Sequence, residues 1–199
     1  MKDTDYMDLF EMRAERGEVS AEEQLATLRK FGLIIPDEFA GQCFPCGDYM
    51  PFLATLGWGK HDFEQKTWTP SSSQVYAFDG EVCFIETMYH IYIQGLQSIS
   101  EGELTFSDVE TDFSHVDWDG PGGKVDVRCT INGIPFQYNA IFQGDWIDTN
   151  IRCAVNEHLA KLGISKRFFY TDGEQGEIIF FCAEDWARKF EEATLCYMS

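Results

Sequence analysis

The sequence predicts an α+β fold: an antiparallel β-sheet with helices packed on one face, preceded by an N-terminal helical pair. Three observations carry that expectation. The dipeptide Asn132-Gly133, which favours a tight type I′ turn, joins Lys124–Ile131 to Ile134–Phe142, two runs in which apolar and polar residues alternate. The stretch from Val82 to Ile99 is apolar almost all round, as expected of a helix buried on most faces. Strand signals come in runs before helices rather than alternating with them, which favours α+β over a parallel α/β sheet.

Taken in order, residues 4–16 have the pattern of a short helix stopped by Gly17. Ser20-Ala-Glu-Glu23 is a capping box that opens a second helix, with Ala21, Leu25 and Leu28 on one side and an end near Gly32. Residues 33–47 carry two prolines and two glycines and read as a connector. This gives a division into an N-terminal helical segment and connector, 1–45, and an α+β part, 46–199, together one compact unit. Tyr49 to Leu56 suits a further short helix. Residues 59–74 are polar and read as a long loop, and Val75–Phe78 as a short strand.

The central hairpin specifies its own register. A two-residue turn places Ile131 opposite Ile134, Cys129 opposite Phe136, Val127 opposite Tyr138 and Val125 opposite Ala140. All of these then share one face, and a one-residue slip would turn the whole set to water. Upstream, Val109, Thr111 and Phe113 alternate with Asp108, Glu110 and Asp112, a third strand whose acids point away from the core. The apolar helix at Val82–Ile99 is expected to lie across the greasy face. Asp148 or Asn150 caps a later helix that Gly163 ends. Arg167–Thr171 and Glu177–Cys182 form a second hairpin, and Ala183, Trp186 and Phe190 mark a closing helix.

Composition narrows the function. Apolar residues make up 44% of 199, enough for a sizeable core and against a disordered acidic chain. Lys and Arg number 15 against 34 Asp and Glu, a net charge of −19. Residues 101–150 alone hold ten acids and two bases. Such a field repels phosphate backbones, so nucleic acid and anionic membrane are disfavoured as partners and a basic protein is favoured. Acidity that serves only solubility is the commoner explanation of such a charge. The N-terminus, Met-Lys-Asp-Thr-Asp, has no apolar segment of the signal-peptide kind, and the expected compartment is the cytoplasm. Five of the seven cysteines are dispersed among apolar neighbours, as buried reduced thiols are.

The most motif-like tetrapeptide is Cys43-Phe-Pro-Cys46, readable as half a zinc site or a dithiol pair. No strand leads into it and no second C-x-x-C accompanies it, so further ligands would have to come from scattered residues such as His61 or Cys83. Gly120-Pro-Gly-Gly-Lys124 lacks the Ser or Thr and the following helix of a phosphate loop and reads as a turn. No cofactor is expected. Asp108, Glu110 and Asp112 place three carboxylates on one strand face, with Asp117, Asp119 and Asp145 nearby in sequence. A solvated face is the ordinary reading of that pattern, and a contact ridge for a basic partner is the functional one.

Val-Tyr-Ala-Phe-Asp79, Leu104 to Asp112, the hairpin at Asn132-Gly133, Gly-Asp-Trp-Ile-Asp148, Arg167-Phe-Phe-Tyr-Thr171 and Phe180-Phe-Cys-Ala-Glu184 follow one another in an order that resembles a loose bacterial family of uncharacterised small acidic proteins. The resemblance covers about residues 75–199 and implies no activity. Small acidic proteins of this kind are similar in character to immunity proteins, which occlude the basic active site of a toxin. The expectation is therefore a non-enzymatic acidic binding protein of immunity type. A small enzyme or thiol or zinc protein using Cys43 and Cys46, and an acidic adaptor for another partner, are the alternatives.

Overall fold

The computed structural model describes residues 6–41, 48–62, 64–65, 67–82, 84–120, 122–172 and 175–199. The fold is α+β. Helices α1 (Tyr6–Arg16), α2 (Ala21–Lys30), α3 (Asp37–Ala40) and α4 (Met50–Gly57) come first. They are followed by strands β1 (Lys60–Asp62), β2 (Thr67–Thr69) and β3 (Tyr76–Asp79), and then helix α5 (Met88–Ser98). Strands β4 (Phe106–Asp117), β5 (Gly122–Ile131) and β6 (Ile134–Ile141) lead to α6 (Ile151–Lys161), and β7 (Arg167–Asp172), β8 (Gly176–Cys182) and α7 (Glu184–Thr194) close the chain.

Two three-stranded antiparallel sheets, β4-β5-β6 and β3-β8-β7, are stacked through a layer of two helices. The apolar face of β4-β5-β6 supplies Val125, Val127, Cys129, Ile131 and Phe136 to a core that also contains Tyr89, Tyr92 and Leu96 of α5 and Val155 and Leu159 of α6. The same core reaches Tyr76, Phe78, Phe168, Ile179 and Phe181 on one face of β3-β8-β7. The other face of that sheet, with Ala77, Ile178, Phe180 and Cys182, meets Leu28 of α2, Phe52 and Leu53 of α4 and Phe190 of α7. The sheet β3-β8-β7 is thus covered on both sides, which explains why β8 is a continuous apolar run rather than an alternating one. One sheet was expected. The strand at Tyr76–Asp79 and the late hairpin make a second, because β3 pairs with β8 across about half the chain.

Several local signals act where they were placed, although α6 starts after Asn150 with no side-chain capping bond. Ser20 Oγ accepts from the Glu23 backbone N–H at 3.2 Å, the capping bond that starts α2. The hairpin pairs Ile131 with Ile134, Cys129 with Phe136, Val127 with Tyr138 and Val125 with Ala140, as alternation demands. Helix α5 begins later than the apolar pattern, at Met88, after a 3-10 turn at Ile85–Thr87. Seven of its eleven residues are buried, including Tyr92 at 0% exposure. The helix approaches β3 so closely that a Cβ on Gly95 would lie 2.2 Å from the Tyr76 ring, so only glycine fits there.

The stretch 59–74 is not a plain loop. It contains the β1–β2 hairpin, which pairs Lys60 with Thr69 and Asp62 with Thr67. What fixes it is Trp68, 3% exposed, whose indole N–H donates to the Trp58 carbonyl at 2.8 Å. Gly59, at φ +72°, lets the chain turn against that indole.

Candidate functional site

Two places combine exposed chemistry with built geometry: the polar face of β4-β5-β6, and a cleft beneath the β1–β2 hairpin.

On the polar face, Asp108, Glu110 and Asp112 are all exposed. They are not an evenly spaced row. Strand β4 carries two bulges, one between Ser107 and Glu110 and one between Asp112 and His115. Asp108 sits in the first bulge with φ +53°, a left-handed conformation that aspartate tolerates better than most residues. Its carboxylate accepts from Ser107 Oγ at 2.9 Å. Glu110 stands opposite Arg128, and Asp112 opposite Asp126. Arg128 is shared, because its guanidinium also pairs with Asp126 at 3.2 Å. The backbone N–H of Ser114 donates to Asp112 at 2.8 Å and, with the Ser114 hydroxyl, holds that carboxyl below the usual carboxylate range. His90 of α5 borders the same patch, its Nε2 donating to the Val109 carbonyl at 3.0 Å.

The remaining acids lie elsewhere on the surface. Asp117 ends β4 and Asp119 lies in the β4–β5 turn, where its N–H donates to Asp117 Oδ1 at 3.1 Å. Asp145 is exposed in the β6–α6 segment, and its carbonyl accepts from the Val82 N–H at 2.7 Å. That bond ties it to the wall of the cleft. Cys43 and Cys46, with Cys83, lie outside the described residues. Among the described residues no group of three or more His, Cys, Asp or Glu is placed to hold a metal ion. Burial pushes the Cys129 thiol up to about 11 and the Cys182 and Cys196 thiols to about 12, so these three stay protonated and unreactive at neutral pH.

The cleft, of about 270 Å³, was not anticipated from the sequence. Trp58, Trp68, Tyr76, Phe78 and Phe84 form its aromatic wall, and Met88 and Ile91 of α5 close one side. Among the described residues its polar lining is His61, Asp79 and Glu81, with no Lys or Arg. Burial lowers the pKa of His61, which is therefore neutral at pH 7. Asp79 accepts from the Glu81 backbone N–H at 3.0 Å. The signal in the sequence was the density of aromatic residues between 58 and 92. It was hidden because those residues come from a helix end, a hairpin, a strand and a second helix.

A buried polar cluster lies between the sheets. Arg152 of α6 donates twice to Glu177 of β8, at 3.3 Å each, and the Tyr92 hydroxyl donates to the same carboxylate at 3.1 Å. The guanidinium stacks 3.9 Å from the centre of the Tyr170 ring. Burial, and then the charge of Glu177, raises the Tyr92 and Tyr76 hydroxyl pKa values well above the ordinary range. The chain has no helix, among its described residues, long and apolar enough to cross a membrane. No family model matches the sequence, and no curated protein and no solved structure matches it either.

Proposed function

We propose that this is an acidic binding protein that acts by occluding a basic protein partner, in the manner of an immunity protein, in the cytoplasm and without catalysis. The observation that carries the reading is the β4 surface: Asp108, Glu110 and Asp112 are exposed together, and the nearest cation, Arg128, is already engaged by Asp126. Grouped carboxylates of this kind present a negative surface that attracts a cationic one. The edge position of β4 adds accessible backbone to the charged side chains. Asp117, at the end of that strand, and Asp119, in the turn after it, continue the acidic surface, and Asp145 is exposed in the β6–α6 segment.

The test is affinity capture of a basic protein from the cells that make this chain, followed by stopped-flow association at two salt concentrations. The first prediction is that association is fast at low salt and slows markedly as salt rises, since steering is screened within about 8–10 Å at physiological ionic strength. The variant D108N/E110Q/D112N keeps the shape and removes three charges, and its on-rate should fall and lose most of its salt dependence. Capture of no basic protein, or an on-rate and salt dependence unchanged in the variant, overturns the reading.

A further inference from the structure

We infer that the cleft beneath the β1–β2 hairpin is a binding site for a small organic cation, a substituted ammonium with an apolar body. This does not rest on the β4 surface, which involves different residues.

Shape and chemistry point the same way. The cleft offers about 270 Å³, close to the lower end of ligand-sized cavities. Its wall is built from aromatic faces, and two of them, Trp68 and Tyr76, are rigidly held. The Trp68 N–H is tied to the Trp58 carbonyl, and the two rings meet edge-on with centres 5.1 Å apart. Trp58 is 45% exposed at the mouth, where a large apolar ring is ordinarily unfavourable. Aromatic faces present negative charge to a ligand and attract ammonium groups, most strongly when water is excluded.

The polar lining selects for positive charge. Asp79 and Glu81 are the charged groups among its described lining residues, and neither has a cationic partner among the described residues. His61 is neutral at pH 7, so nothing in the described lining offsets the two carboxylates. An anion would meet uncompensated repulsion, and a neutral apolar ligand would leave the carboxylates unpaired. The net charge of −19 also raises the local concentration of cations near the protein.

The experiment uses the full chain and three soluble probes of similar size: benzyltrimethylammonium, benzyl alcohol and benzylsulfonate. Calorimetric titration should give saturable one-to-one binding of the cation, with binding of the alcohol weaker by about tenfold and none of the sulfonate. Indole N–H resonances of Trp58 and Trp68 should shift with the cation. Trp58→Ala, and D79N/E81Q separately, should each weaken the cation by about tenfold. Trp58 and Glu81 are exposed, so these variants keep the fold, and an unchanged melting temperature checks it. The D108N/E110Q/D112N variant should bind the cation as the parent does, which separates this site from the β4 surface. Equal binding of alcohol and cation, no binding of the cation, or indifference to both sets of substitutions overturns the inference.

Discussion

The two three-stranded sheets solve the same problem in opposite ways. In β4-β5-β6 one face is packed and the other is wet, so its strands alternate: Val125, Val127, Cys129 and Ile131 are buried while Lys124 and Arg128 are exposed. In β3-β8-β7 both faces are covered, and Ile178, Ile179, Phe180, Phe181 and Cys182 are buried in unbroken succession. An alternating strand announces its partner, because only one register puts every apolar residue inside. A continuous strand announces only that something covers both faces. The wet sheet is where recognition is available. The dry sheet holds the layers together and shapes one wall of the cleft through Tyr76 and Phe78.

The largest contrast should come from removing an arginine on each side. Arg152 and Glu177 are 5% and 7% exposed, so Arg152→Met leaves a carboxylate buried without its partner. Such a break costs about 3–5 kcal/mol, and Tyr92, the other donor to Glu177, cannot replace a full charge. Arg128→Met on the wet sheet breaks a surface pair whose arginine is 51% exposed, which is worth about 0–1 kcal/mol. Chemical unfolding of both variants, compared with the parent, checks the difference. Equal losses would mean that the pair between the sheets is better solvated than its burial indicates.

A narrower contrast concerns truncation. Ile178 and Ile179 are neighbours that point to opposite faces of β8, and both are buried, so each change to Ala should cost about 2–5 kcal/mol. Ile131→Ala on the wet sheet should cost a similar amount, but Gln137→Ala, on its outer face, should stay within about 0.5 kcal/mol. A tolerant Ile178 would mean that α2, α4 and α7 close over β8 less tightly than the described packing.

These contrasts also explain what could be read in advance. The hairpin was legible pair by pair because a two-residue turn and strict alternation leave one solution. The helix at Met88–Ser98 was legible in kind but not in its start, since Val82 and Ile85 are apolar for tertiary reasons rather than helical ones. The bulge at Asp108 was not legible, because an inserted residue in an acidic strand leaves no pattern to break. The hairpin at 60–69 was hidden in a polar stretch, where Trp68 is the buried residue among those described. Arg152 and Glu177 stand as single charges inside apolar segments, a cue that each is buried with a partner, but nothing in the sequence pairs them. The acidic surface was legible as composition. The cleft was not, because its walls are assembled from four elements.

The smallest effect expected is one of pH, and it belongs to the wet sheet's side of the molecule. The strands β3, β7 and β8 contain no histidine. His158 of α6 lies edge-on to Phe136 of β6, with ring centres 5.6 Å apart, and its Nε2 is buried without a hydrogen-bond partner among the described residues. Burial, reinforced by the charge of Lys161, lowers its pKa below the ordinary value. Protonation is then harder in the folded chain than in the unfolded one. Stability is therefore complete above the unfolded value of about 6.5 and is lost as pH falls from there through the folded pKa. His158→Gln should remove that part of the acid sensitivity and leave the remainder, including the contribution of His61, which is displaced in the same direction. Unfolding midpoints at pH 7 and pH 5 for parent and variant measure the difference, and an NMR titration of the His158 ring measures its cause. A ring that titrates at or above the ordinary value would place that nitrogen in water, and the packing of α6 on Phe136 would have to be looser than the geometry here.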